Sequence, residues 1–386
     1  MCRTHTQTTT FSIPTTTPAK PTPPPPLQVE LTVTSTTTIN NNIHVIISKF
    51  HAGYFRISLS LCFQTLLWKT LVNPPENAHA YRRMLGLMPY TAFILVLIWS
   101  LSLFIVLSLS ILYILRCILL SNMLKKDYLN HITVNYLFAP WISFLLLLQT
   151  TPFSVTLVYY RLLWVVFVVP ILILDVKIYG QWFTKGKRFL STVANPASQL
   201  SVIGNLVGAG AAAEMGWRET SVIMFSLGFV HYLVVFVTLY QRLSGNSCMP
   251  PMLRPVMFLF IAAPSMASLA WGSISGMFDS SSKMLFYLSL FLFLSLVTRP
   301  NLFKKSMKKF NVVWWAYSYP LTVLALASIE YAQEMNTSVA HLLMLILSAI
   351  SILVSFVLMI YTALNTNIML PTDDADDHHL ETLCNG

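Results

Sequence analysis

Two basic side chains, Arg56 and Lys69, stand on one apolar stretch thirteen residues apart, ~20 Å along a helix axis at 1.5 Å per residue. Such charges either run out along their aliphatic stems to the two membrane interfaces or turn inward and make a lumen electropositive. Acidic groups are nearly absent from the apolar stretches: Asp175 stands near one end of 161–180 and Glu330 near one end of 311–331. At two-residue spacing Asp175 and Lys177 cannot face each other on one helix, so Asp175 pairs with a different helix. A passage walled by Ser, Thr, Asn and backbone amides, with a few cations and no carboxylate ring, favours anions. Proton coupling needs a buried titratable chain, for which Asp175 is the one weak candidate. His231, followed by Tyr232, reads as a packed, hydrogen-bonded residue. There is no Walker motif, no metal-ligand helix and no nucleophile–base pairing. Cys2, Cys62, Cys117, Cys248 and Cys384 are odd in number and lack ligand spacing, which implies neither a disulfide framework nor a zinc site. The residues call for no enzyme chemistry, no catalytic residue, no metal and no cofactor.

The elements that would hold these charges are membrane helices. With 55% hydrophobic and 10% charged residues and a mean hydropathy of +0.65, the chain is too apolar for one soluble domain. Runs near the ~20 residues a bilayer core requires fall at 53–72, 90–115, 133–150, 161–180, 199–215, 219–241, 255–275, 283–299, 311–331 and 339–365. The third and fifth are the least hydropathic, so the count is nine or ten. With the N-terminus cytoplasmic, seventeen Lys and Arg fall inside and five outside; Arg56 and Lys69 lie within the first run and complete the 24. That bias favours an even count with both termini cytoplasmic. The net charge of +10 is then chemistry of the membrane surface, not of nucleic acid.

Three regions follow. Residues 1–48 form a Thr/Pro-rich tail expected to be disordered, 49–366 the membrane domain, and 367–386 an acidic tail expected to be disordered. Asn336-Thr337-Ser338 is a glycosylation sequon in a loop placed outside, close to the last span. Lys304-Lys305-Ser306-Met307-Lys308-Lys309 is an inside-positive loop that could attract anionic lipid, with Ser306 as a kinase site.

The spans differ by parity. The second, eighth and tenth contain neither Gly nor Pro, and the sixth has only Gly228; such helices suit lipid on all sides. The third carries Pro140, the fifth Gly204, Gly208 and Gly210, the seventh Pro264, and the ninth Pro320. Proline frees the carbonyl four residues earlier and bends the helix. In hydrocarbon such groups are tolerated only against protein or a water-filled space. Pro140, Gly204, Pro264 and Pro320 are therefore expected at kinks in an inner ring lining a pore. Pro170 in the fourth span breaks the pattern.

Several stretches carry a resemblance: His51-Ala52-Gly53-Tyr54-Phe55-Arg56, Lys177-Ile178-Tyr179-Gly180-Gln181-Trp182, Ala194-Asn195-Pro196-Ala197-Ser198, the run from His231 to Arg242, and Trp314-Trp315-Ala316-Tyr317. Over about 50–365 the chain resembles the plant slow-type (S-type) anion channels, in particular the short homologues of the guard-cell member. The resemblance, shared with bacterial TehA, implies an all-α membrane fold of ten helices in five hairpins, quasi-fivefold, with a kinked inner ring around a central pore. It also implies a trimer with one pore per subunit, chloride and nitrate as permeant ions, the plasma membrane as location, and cytoplasmic kinases acting largely through tails longer than these. The family's pore is plugged by a phenylalanine just before the kink proline of the ninth helix. Here that position is Tyr319, before Pro320, which keeps the ring and adds a hydroxyl. Two alternatives to a passive anion channel stand beside this reading. One is an electrically silent subunit modifying a conducting relative in a mixed trimer; the other is a transporter of organic acids such as malate.

Overall fold

The computed structural model describes residues 50–72, 91–130, 132–184, 195–244, 251–308 and 310–365. The Thr/Pro-rich stretch 1–48 and the acidic tail 367–386 lie outside them, as does Lys309 of the basic loop. Every described residue belongs to one compact unit, Ile46–Gly386. Among the described residues the secondary structure is helical throughout: α1 (Phe55–Val72), α2 (Thr91–Leu119), α3 (Ser121–Leu129), α4 (Thr133–Tyr136), α5 (Phe138–Gln149), α6 (Leu157–Thr184), α7 (Gln199–Glu214), α8 (Arg218–Ser244), α9 (Leu259–Ser275), α10 (Ser280–Val297), α11 (Trp315–Met335) and α12 (Ser338–Leu364). Each of the ten apolar runs coincides with helix to within four residues.

Seven of the runs are long and apolar enough to cross a bilayer: those of α2, α6, α8, α9, α10, α11 and α12. The runs of α1, α4–α5 and α7 fall short for physical reasons. Helix α1 carries Arg56, Gln64 and Lys69; α4 and α5 are separated at Leu137; α7 is short and built largely of Gly, Ala, Ser and Asn. These same three stretches are mostly buried, and a helix screened from lipid has no need of a greasy surface.

Burial follows parity. The apolar stretch Val312–Met335 is 94% buried and Leu253–Ser275 is 67% buried, against 17% for Ala92–Leu119 and 22% for both Leu157–Gly180 and Ser280–Val297. Neighbour relations explain the contrast. Helix α1 packs on α5, α5 on α7, α7 on α9, α9 on α11, and α11 returns to α1, closing a cycle. Helices α2, α6, α8, α10 and α12 each lie against the helix of the cycle that precedes them in the chain and touch a second member of it.

The same turn opens α1, the α4–α5 stretch, α7 and α11. His51 Nδ1 accepts from the Gly53 amide at 3.0 Å, Asn130 Oδ1 from Ile132 at 2.8 Å, Asn195 Oδ1 from Ala197 at 2.8 Å, and Asn311 Oδ1 from Val313 at 3.4 Å. A side chain bonded to the amide two residues on nucleates a turn at a helix entrance. These entrances neighbour one another around the cycle just as the helices do. Nine positions beyond three of the caps stand Ser60, Gly204 and Pro320, so the small or kinking residues recur at one depth.

The prolines behave in two ways. Pro264 and Pro320 are each the sixth residue of their helix, where the carbonyls of Phe260 and Ala316 lose the amide they would otherwise meet. Pro140 is the third residue of α5, and the interruption lies earlier, at Leu137. A proline at 140 leaves the Tyr136 carbonyl, four residues earlier, without its amide, and Tyr136 is the last residue of α4, so the interruption of the third span falls where this proline breaks the helix. Helix α6 continues through Pro170.

Candidate functional site

Tyr319 of α11 is buried, 1% exposed. Its ring stacks on Phe63 of α1, with centroids 5.9 Å apart and planes 15° from parallel. The two rings join helices that are distant in sequence, and the pairing closes the cycle between its first and last members. The Tyr319 hydroxyl is buried and meets no hydrogen-bond partner among the described residues. Arg56 and Tyr136 are near enough to act on it electrostatically.

Arg56 itself is 6% exposed. Its guanidinium lies 4.2 Å from the centroid of the Tyr136 ring, a cation–π contact. Among the described residues it has neither a carboxylate nor a hydrogen-bond partner. A nearly buried, unneutralised cation within electrostatic reach of a phenol with a free donor is a setting that attracts anions. Lys69, near the other end of α1, is half-buried and donates to the backbone carbonyl of Gln149 on α5. The two cations thus differ: Lys69 is held by a carbonyl, Arg56 only by an aromatic face.

The kink residues occupy distinct surroundings. Pro264 and Pro320 are buried, and Pro140 is half-buried. A Cβ at Gly204 would lie 3.4 Å from side-chain atoms of Ile142 and Ile171, at ordinary contact distance between α7 and its neighbours α5 and α6.

Asp175 of α6 is 2% exposed. Ser201 Oγ donates to it at 2.5 Å and Asn205 Nδ2 at 2.7 Å, both from α7, the partnership with another helix that the spacing of Asp175 and Lys177 demanded. Ser201 Oγ is also 3.2 Å from Nδ1 of His231 on α8, and Tyr179 packs edge-on against that imidazole with centroids 5.1 Å apart. The cluster ties two outer helices to α7.

Two surface expectations meet the structure differently. Asn336 is exposed at the left-handed end of α11, with φ of 48°, and Thr337 caps α12; the sequon is the turn of that hairpin. Ser306 is 1% exposed, its hydroxyl donates to the Phe303 carbonyl at 2.8 Å, and its own carbonyl accepts from the Trp314 indole at 3.0 Å. A serine folded inward in this way is not presented to a kinase, which corrects the expectation drawn from its basic flanks. Phe63, Gln64 and the recurrent caps escaped the sequence reading. Aligning the starts of the odd spans on His51, Asn130, Asn195 and Asn311 would have found the caps.

Residues 49–363 match the voltage-dependent anion channel family. In Arabidopsis thaliana the S-type anion channel SLAH1 is 58% identical over 327 residues, covering 84% of this chain and 83% of the relative. The chain belongs to the S-type anion channel family. The S-type anion channel SLAH4 of the same plant is 55% identical over 330 residues, 85% of this chain and 87% of the relative. The guard cell S-type anion channel SLAC1 is 41% identical over 331 residues; the match spans 84% of this chain and 58% of that longer protein. Family membership spans every helix of the cycle, so the interior around Tyr319 and Arg56 lies within the matched region.

Proposed function

We propose that the chain is a passive channel for small monovalent anions, chloride and nitrate, with its pore inside the cycle of α1, α5, α7, α9 and α11. In this reading all ten apolar runs span the plasma membrane as five hairpins in quasi-fivefold order, with both termini cytoplasmic and the subunits assembled as trimers, either homotrimers or mixed with related subunits. Tyr319 is the gate, and Pro140, Gly204, Pro264 and Pro320 shape the inner ring. The observations that carry the reading are the buried Arg56 guanidinium with no carboxylate partner and the buried Tyr319 hydroxyl with no hydrogen-bond partner among the described residues, on two helices of a cycle that closes on itself. An anion supplies what both lack, and a closed ring of screened helices can hold water where a lipid-facing bundle cannot. The family bears on the same point through relatives named as anion channels.

In this reading the stacked Phe63–Tyr319 pair closes the pore. Voltage clamp of Tyr319→Ala in chloride and nitrate baths is expected to give larger anion current than the unsubstituted chain. Unchanged current at normal surface expression would refute the gate assignment. Arg56→Gln in the Tyr319→Ala background is expected to lower that current several-fold by removing the attracting charge. Co-expression with a long-tailed relative separates a conducting subunit from a silent modulatory one.

A second reading, an organic-acid transporter, draws on the Asp175–Ser201–His231 cluster, a buried hydrogen-bonded group of the kind that proton coupling uses. Reversal potentials that track the anion gradient and ignore pH favour the channel; a shift with pH that Asp175→Asn abolishes favours the transporter.

A further inference from the structure

We propose that Gln64 is the positioning residue of the gate, its side-chain amide setting the rotation of α11 and so holding Tyr319 against Phe63. The inference rests on the reading of Tyr319 as the gate and goes beyond it, because Gln64 makes its hydrogen bonds to Thr322, Ser351 and Ser355 and none to the Tyr319 hydroxyl.

Ser318 and Thr322 lie one turn apart on α11, as Ser355 and Ser351 do on α12. Ser318 Oγ is 2.7 Å from Ser355 Oγ, and Thr322 Oγ1 is 2.9 Å from Ser351 Oγ. These two rungs form a hydroxyl ladder between the helices. From α1, Gln64 Nε2 reaches Thr322 Oγ1 at 2.9 Å, Ser351 Oγ at 2.9 Å, Ser355 Oγ at 2.7 Å and the Ser351 carbonyl at 3.3 Å. The carbonyl can only accept, which fixes the nitrogen of the amide on this side. All five side chains are buried.

An amide nitrogen has two hydrogens, and four acceptors surround this one. Two acceptors are therefore served at a time, and the hydrogens can pass among them without leaving a buried donor orphaned. Three of the acceptors belong to α12 and one, Thr322, to α11. When the amide engages Thr322 it ties α11 to α1; when it serves only Ser351 and Ser355, α11 is released. Tyr319 sits between Ser318 and Thr322 in sequence, so the ladder registers the helix face that carries the ring. The adjacent residues Phe63 and Gln64 thus hold one helix in two ways, Phe63 by stacking on the ring and Gln64 by gripping the polar face behind it. The site adjoins Pro320, where the backbone of α11 has already lost a bond and turns most easily. An apolar residue at 64 would supply neither the grip nor the exchange.

The test compares Gln64→Met, which keeps length and removes the donors, in two backgrounds. Alone, it is expected to raise anion current about fivefold, the worth of one net hydrogen bond, with an unchanged reversal potential in mixed chloride and nitrate baths. In Tyr319→Ala it is expected to change current by less than about 1.5-fold, because no ring remains to be held. Equal effects in both backgrounds, or a shifted reversal potential, overturn the proposal while leaving the pore reading intact. If Gln64→Met does not reach the surface, Thr322→Val, which removes the α11 acceptor at similar volume, is read by the same comparison. No anion current through surface-expressed Tyr319→Ala would instead overturn the gate reading, and this inference with it.

Discussion

Helices α11 and α12 form one hairpin joined by Asn336 and Thr337, yet the stretch containing α11 is 94% buried and that of α12 33%. The more buried of the two is the less greasy. Helix α11 carries Tyr317, Ser318, Tyr319, Thr322 and Ser328 among its buried residues, whereas α12 exposes Leu342, Ile346, Leu353 and Phe356. In water the sorting would run the other way. In a bilayer, lipid takes the place of an apolar core, and the interior is where hydroxyls and charges find partners. The same inversion separates two faces of a single helix: on α8, Gly228 lies against α7, while Ile223 is 66% exposed.

That second contrast gives the largest expected effect on stability. A Cβ at Gly228 would lie 3.0 Å from Asn205 Cβ and 3.3 Å from the Val202 carbonyl, leaving no room for a side chain. Gly228→Leu should cost about 1–3 kcal/mol, whereas Ile223→Leu should stay within about 0.5 kcal/mol. Thermal unfolding in detergent reads both, and equal shifts would erase the distinction between faces.

Polar groups sharpen the comparison. Asp175→Leu removes the acceptor of buried donors on Ser201 and Asn205 and should cost roughly 1–3 kcal/mol. Lys283→Ala breaks only the exposed pair with Glu334 at 3.3 Å and should cost less than about 1 kcal/mol. A larger loss at Lys283 than at Asp175 would mean that the interior is not where polarity matters.

The smallest effect concerns the start of α10. Partial burial raises the affinity of Asp279 for a proton, but hydrogen bonds from the Ser282 amide and the Trp271 indole outweigh it and hold the carboxyl below its ordinary range. Asp279→Ala should cost about 1 kcal/mol at neutral pH. A carboxyl depressed in the folded state stabilises above its unfolded value, and that contribution disappears as pH falls through the folded one. The two melting curves should therefore converge in acid; a gap that persists there would assign the loss to packing.

Much of the architecture was legible because the bilayer writes it into composition. Unbroken runs such as Phe93 to Leu112 and interrupted ones such as Ala262 to Gly276 announced the outer and inner helices, and Pro264 and Pro320 lie buried in kinkable positions. Pro140 stands four residues after Tyr136, where α4 ends and the third span is interrupted. At the candidate site Arg56 stood out as a charge in an apolar run, and Tyr319 through the resemblance to a family whose pore is plugged just before the kink proline. Phe63 and Gln64 did not, since a phenylalanine and a glutamine in a membrane helix gain meaning only from partners more than 250 positions away. Ser306 misled for the opposite reason: its neighbours are basic, but its own hydroxyl is turned inward.

The closure of the cycle between α1 and α11 has a consequence for biogenesis. The helix made first keeps Gln64 and Phe63 without their partners until the last hairpin leaves the ribosome, because Thr322, Ser351 and Ser355 are all in that hairpin. Until then a polar amide must wait within the bilayer or be shielded, at a cost that only the final segment relieves. Chains truncated before α11 should consequently be less stable in detergent than chains that carry the α11–α12 hairpin.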